Sequence, residues 1–108
     1  MSEREARIAR NEAFSREINE GIEDARPSTP SDYLRMVCGC GRPDCSSLIA
    51  ISIQEYEAVR ADPRSFAVHH SHVSPDVEDA VQTTERFVVV RKREGTPATI
   101  AQEEDPRS

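Results

Sequence analysis

The chain has no tryptophan, and its aromatic side chains are two tyrosines and three phenylalanines in 108 residues. With 31% charged residues and a mean hydropathy of −0.66, apolar burial is thin. A domain of this size has room for a modest core only, and such domains often take part of their folding energy from a metal. No apolar run approaches the roughly 20 residues that span a bilayer. The opening Met1-Ser2-Glu3-Arg4-Glu5 lacks the apolar segment of a secretory signal, so a cytoplasmic location without a membrane is the expectation. A basic excess is lacking too. The formal net charge of −6 argues against general affinity for nucleic acid, which rests on neutralising phosphates. Arg91-Lys92-Arg93 is a local exception and reads as a charged strand end.

Cysteine is scarce, but all three stand within Cys38-Gly39-Cys40-Gly41-Arg42-Pro43-Asp44-Cys45. An odd number without a secretory signal argues against a disulfide framework, and inert core thiols would sit singly on apolar faces. Zinc prefers thiolate and imidazole, and three sulfurs with one nitrogen make a common closed tetrahedron. Gly39 and Gly41 tolerate positive φ and let the backbone fold back between ligands, while Pro43-Asp44 supplies a second turn before Cys45. The spacing C-x-C-x4-C departs from the commoner C-x2-C knuckle.

The fourth ligand should come from His69, His70 and His72, the only histidines, which follow the apolar run Phe66-Ala67-Val68. His70 and His72 share a strand face by two-residue alternation. His72 is favoured because Val73-Ser74-Pro75 follows it, where a chain entering a helix would be held firmly; His70 is the alternative. Three thiolates and one neutral histidine around zinc carry a formal charge of minus one, so Arg42 or Arg35 is expected to donate to sulfur.

Along the chain, residues 2–26 read as a helix with Ser2 as N-cap and Arg26-Pro27 as its end. Phe14, Ile18, Ile22 and Ala25 form one stripe, which faces either the core or a partner. Arg4 and Arg7 share that side, so the first two turns are expected to project into solvent. Pro27 to Asp32 is a linker. Residues 33–51 read as a hairpin with the cysteine knuckle at its tip. Ser52 with Glu55 forms a capping box, Ile51 and Tyr56 a hydrophobic staple, and this helix should stop near Ala61 before Asp62-Pro63. A strand is expected at 66–68, and a short helix at 75–83, opened by Ser74-Pro75 and burying Val77 and Val81. Arg86 to Arg91 reads as a fourth strand. Residues 94–108, with the acidic run Glu103-Glu104-Asp105, are expected to form a mobile tail anchored at most by Ile100. The fold expected is α+β: a small zinc-stabilised domain with a short four-stranded antiparallel sheet, a long N-terminal helix and two short helices. Its segments are 1–26, 33–93 and 94–108.

Arg10-Asn11-Glu12-Ala13-Phe14 with Arg16-Glu17-Ile18-Asn19-Glu20, then Cys38 to Cys45, Glu55 to Pro63, Phe66, His72-Val73 with Pro75, and Asp105-Pro106-Arg107 carry a resemblance. In these residues the chain resembles a family of small uncharacterised actinobacterial proteins that combine an RNEA-type N-terminal helix with a C-x-C-G-x3-C zinc-binding cluster. The resemblance implies His72 as the matching histidine and implies no activity.

The leading function is therefore a zinc-binding, non-enzymatic interaction or regulatory module with a structural Cys3His site. Phe14, Ile18 and Ile22 are the candidate surface for a protein partner or self-association. One alternative is a thiol-based switch in which oxidation releases zinc. Another is a zinc hydrolase-type enzyme, although neither H-x-E with P-C-x-x-C nor H-E-x-x-H is present.

Overall fold

In the computed structural model, which describes residues 3–25 and 33–107, the chain runs α1 (Glu3–Asp24), β1 (Leu34–Val37), β2 (Leu48–Ile51), α2 (Ile53–Arg60), β3 (Ser65–Val68), one 3-10 turn (His70–His72), β4 (Glu78–Thr83), β5 (Val88–Lys92) and α3 (Thr96–Glu103). Strands β1 and β2 pair antiparallel, as the hairpin reading requires. Strands β3, β5 and β4 form a second antiparallel sheet in that order. The class is α+β, but the single four-stranded sheet is not formed. The hairpin lends only the Gly39 N–H to the Ala67 carbonyl of β3, at 2.9 Å, as a backbone link between the sheets among the described residues. It packs by its face instead: Leu34, Met36, Ile49 and Ile51 share a buried cluster with Tyr56, Val59, Phe87 and Val89. Edge-on pairing would have left that face in water, so burial decides against it.

Helix α2 forms as its local signals dictate. Ser52 accepts the Glu55 N–H at 3.1 Å and gives its own N–H to Glu55 Oε1 at 2.9 Å. Arg86 clamps the same carboxylate with its two terminal guanidinium nitrogens, at 2.8 and 2.6 Å, which holds the Glu55 carboxyl down at about 2.

Helix α1 departs from its expected orientation. Ser2, Arg26-Pro27 and the 27–32 linker lie outside the described residues, but the stripe of Phe14 and Ile18 faces solvent, at 62% and 39% exposure. The buried face is Ala9, Glu12, Ala13, Arg16, Asn19 and Glu23. Polar side chains can face inward here because other elements supply partners. Asn19 brackets Val37, accepting its N–H at 2.8 Å and donating to its carbonyl at 2.9 Å. Arg16 donates to the carbonyls of Ala101, Pro63 and Ser65 and lies 4.0 Å from the Phe66 ring centre. Ile22 is half-buried against the hairpin cluster.

The helix expected at 75–83 is also corrected. Ser74 starts one turn, taking the Val77 and Glu78 N–H groups on its carbonyl at 3.1 Å and giving its own N–H to Glu78 Oε2 at 2.8 Å. The chain then extends as β4, because β5 needs a partner on its second edge and Glu78 is drawn into an ion pair with Lys92. Val81 falls at the bulge between Ala80 and Gln82 and is 56% exposed.

The C-terminal segment, expected as a mobile tail, carries α3, with Ala98 and Ala101 buried. Ile100, the expected anchor, is only half-buried. Buried Arg60 pairs with Glu20 at 3.3 Å and with Asp105. Arg107 reaches Glu20, Glu23 and Glu57 at 2.5, 3.2 and 2.6 Å. Burial and the Glu20 hydrogen bond push the Tyr56 phenol above its ordinary range.

Lys92, read as part of an exposed basic end, is 2% exposed. Its ammonium lies 2.5 Å from Glu12 of α1 and 2.5 Å from Glu78 of β4. Two carboxylates on one ammonium leave an excess negative charge in a buried place. Burial accordingly pushes the Glu12 carboxyl up to about 7, against the lowering by Lys92. A carboxyl whose folded value lies above its unfolded one adds stability while protonated, and loses that contribution as pH rises through about 7. Between pH 6 and 8 the wild-type chain should therefore lose about 1 kcal/mol through this group. Denaturant titrations over that range should show the slope flattened by that amount in Glu12→Gln. An unchanged slope would mean Glu12 is ionised throughout.

Candidate metal centre

The knuckle is built by the hairpin and pressed onto α1. Cys38 follows β1 and donates its N–H to the Ser47 carbonyl at 3.1 Å, closing the hairpin beneath the loop. Gly41 has φ of 72°, and a Cβ there would lie 2.4 Å from the Ile8 carbonyl oxygen and 2.6 Å from Glu12 Cγ. Only glycine satisfies both the left-handed backbone and the close approach. Asn11 then donates to the Gly41 carbonyl at 3.1 Å. Gly39, read as tolerating positive φ, does not adopt it; a Cβ there would stand 3.1 Å from the Ala67 carbonyl oxygen, so β3 keeps this position small. Pro43-Asp44 makes the expected second turn, closed by Cys45 N–H to the Arg42 carbonyl at 3.1 Å.

The histidine arrives from the other sheet. After β3 the His69 N–H points at Cys38 Sγ, 3.2 Å away, and the 3-10 turn closes through His72 N–H to the His69 carbonyl at 2.9 Å. This brings His72 Nδ1 to 3.6 Å from Cys38 Sγ and 3.4 Å from Cys45 Sγ. The ligand atoms of Cys38, Cys40, Cys45 and His72 all lie within 4.8 Å of one another. His70 is directed elsewhere, its Nε2 2.6 Å from the Thr84 carbonyl, and His69 Nδ1 pairs with Ser71 Oγ at 2.8 Å. The histidine that joins the sulfurs is therefore His72, positioned by a 3-10 turn rather than by a strand face.

The four residues could hold a metal ion; two sulfur–nitrogen distances already fit one, and the widest ligand pair, up to 4.8 Å apart, would draw together around it. With Zn–S of about 2.3 Å and Zn–N of about 2.0–2.1 Å, tetrahedral sulfur and nitrogen ligands stand ~3.5–3.6 Å apart. The two measured sulfur–nitrogen distances bracket that separation. A hydrogen bond to Cys38 and burial raise the Cys40 thiol well above its ordinary range, while the bond from Cys40 and the His69 amide lower the Cys38 thiol. Sulfurs in contact cannot all ionise unless a cation stands among them. Cys38 and Cys40 are buried and belong to a cluster with Phe66, Val68, Val88, Val90 and Ala101; Cys45 and His72 are half-buried. All three cysteines are free.

Of the two arginines expected nearby, Arg42 is half-buried and its backbone N–H bonds the Cys40 sulfur. Arg35 is exposed on β1, opposite Ala50. The sequence reading missed Asn11 and Asn19, which fix the knuckle and β1 to α1. Neither leaves a local pattern, since a helix-borne asparagine reads as solvated. No helix among the described residues is long and apolar enough to cross a membrane. No protein-family model, curated protein or solved structure matches this chain.

Proposed function

We propose that Cys38, Cys40, Cys45 and His72 bind one zinc ion in a closed structural site, and that the chain is a non-enzymatic interaction or regulatory module held in shape by that ion. The observation that carries this reading is His72 Nδ1 standing 3.6 and 3.4 Å from two of three clustered sulfurs. Three thiolates and an imidazole suit zinc, whereas calcium and magnesium take oxygen ligands. Four protein ligands leave no position open for water or substrate. The ligands also explain why a metal matters here: three come from the hairpin and one from the turn after β3, so the ion ties together two sheets that share a single backbone hydrogen bond. The affinity with the actinobacterial proteins belongs to the same proposal and rests on the residue pattern alone.

Protein purified without added zinc should carry one zinc per chain by elemental analysis. His72→Ala should weaken zinc binding by about 100-fold or more in a chelator competition, while His70→Ala leaves it unchanged. Substoichiometric metal, or equal losses in the two variants, would sink the assignment.

A further inference from the structure

The outward face of α1 carries apolar residues that the fold does not use. Phe14 is 62% exposed and Ile18 39% exposed, one turn apart. The same face continues through Gly21 and Ala25, both exposed. Glycine inside a helix weakens it, and nothing lies within 4 Å of a Cβ built at Gly21. The fold of one copy therefore gives no reason for glycine there. It leaves a notch one turn beyond Ile18.

We propose that a second copy of this chain packs antiparallel across this face, with Phe14 of each copy seated in the notch over Gly21 of the other. Charge selects that occupant. Beside the apolar residues the face carries exposed Glu3, Arg7 and Arg10 in its first half and exposed Glu17 and Asp24 in its second. An antiparallel copy brings Arg10 of each chain to Asp24 of the other, and a parallel copy in register would set Arg10 on Arg10 and Asp24 on Asp24. With the twofold axis between Glu17 and Ile18, Phe14 falls over Gly21 and Arg10 comes beside Asp24, twice by symmetry. The two Glu17 side chains then meet near the axis and must splay into solvent. Ile22, the third residue of the surface read from sequence, is half-buried in its own chain, and Gly21 takes its place.

This deepens the interaction-module reading by naming the partner, and it does not use the metal. The test is sedimentation equilibrium of the full chain from about 1 µM to about 1 mM, with zinc content measured on the same samples. Wild type should pass from monomer to dimer. Phe14→Ala, which removes two buried rings per dimer, should weaken association on the order of 100-fold. Gly21→Gln should weaken it while holding or raising the thermal midpoint of the dilute monomer, because the substitution improves the helix and meets no neighbour. Arg10→Asp and Asp24→Arg should each weaken the dimer, and the pair together should restore it. Glu17→Gln should tighten it. A monomer throughout the range, or a dimer indifferent to Phe14→Ala and Gly21→Gln, overturns the proposal. A zinc-loaded monomer would do so while leaving the zinc reading standing, and a metal-free dimer would do the reverse.

Discussion

On the proposed zinc reading, treatment with a strong chelator at neutral pH is expected to abolish cooperative folding rather than shift its midpoint by a few degrees. Binding to structural zinc sites is worth about 10–16 kcal/mol in zinc-finger peptides, which matches or exceeds the roughly 5–15 kcal/mol by which a whole domain is stable. The loss should begin where the ligands are. Cys38 and Cys40 are members of the apolar cluster with Phe66, Val68, Val88 and Val90, so separating the sulfurs opens the three-stranded sheet as well as the knuckle. Among the described residues, one backbone bond, Gly39 to Ala67, joins the hairpin to β3 without help from an ion. Amides at 39–45 and 69–72 should therefore lose exchange protection first. Calorimetry with chelator should show no sharp transition, and one equivalent of zinc should restore it. A sharp transition at an unchanged temperature in metal-free protein would show that the ion does not hold the fold.

The second large effect is expected from Lys92→Met. The substitution keeps volume and apolar stem but removes the one cation between Glu12 and Glu78, whose side chains are 3% and 2% exposed. Breaking a buried pair by deleting one partner costs about 3–5 kcal/mol, because the remaining charge is left without compensation. Here two carboxylates would share a buried place without their cation, so Glu12, already raised by burial, would hold its proton to still higher pH. Stability should then be better at pH 6 than at pH 8, with the loss growing as pH rises through the folded value of Glu12. Chemical denaturation at the two pH values reads this directly. The triple variant Glu12→Gln, Glu78→Gln, Lys92→Met removes all three charges and should recover much of the loss. A single variant as stable as wild type at pH 8 would show that the three groups are not a buried ion cluster.

How much of this was legible in the chain follows from where each signal lives. Ser52 and Glu55 form their capping box within four residues, and Cys38 to Cys45 carry their ligands and turns within eight, so both could be read without knowing the rest. Helix α1 could not. Its apolar stripe was visible, but whether that stripe or the polar one faces inward depends on Arg16 finding three carbonyls and Asn19 finding Val37, all from distant elements. Ser74-Pro75 is a true turn signal, but continuing it as helix or strand was decided by the free edge of β5. Lys92 shares a strand face with Val88 and Val90 by simple alternation, which hinted at burial; that Glu12 would be waiting there did not show.

The chain alone thus determined the chemistry: three thiols, the only imidazoles clustered after one apolar run, and the turns that let the ligands converge. Only the tertiary structure decided orientation, because a helix face or a strand edge has no preferred neighbour until another element offers a partner. That is why Phe14 stands in water while Glu12 and Arg16 lie inside, and why His72 rather than His70 meets the sulfurs.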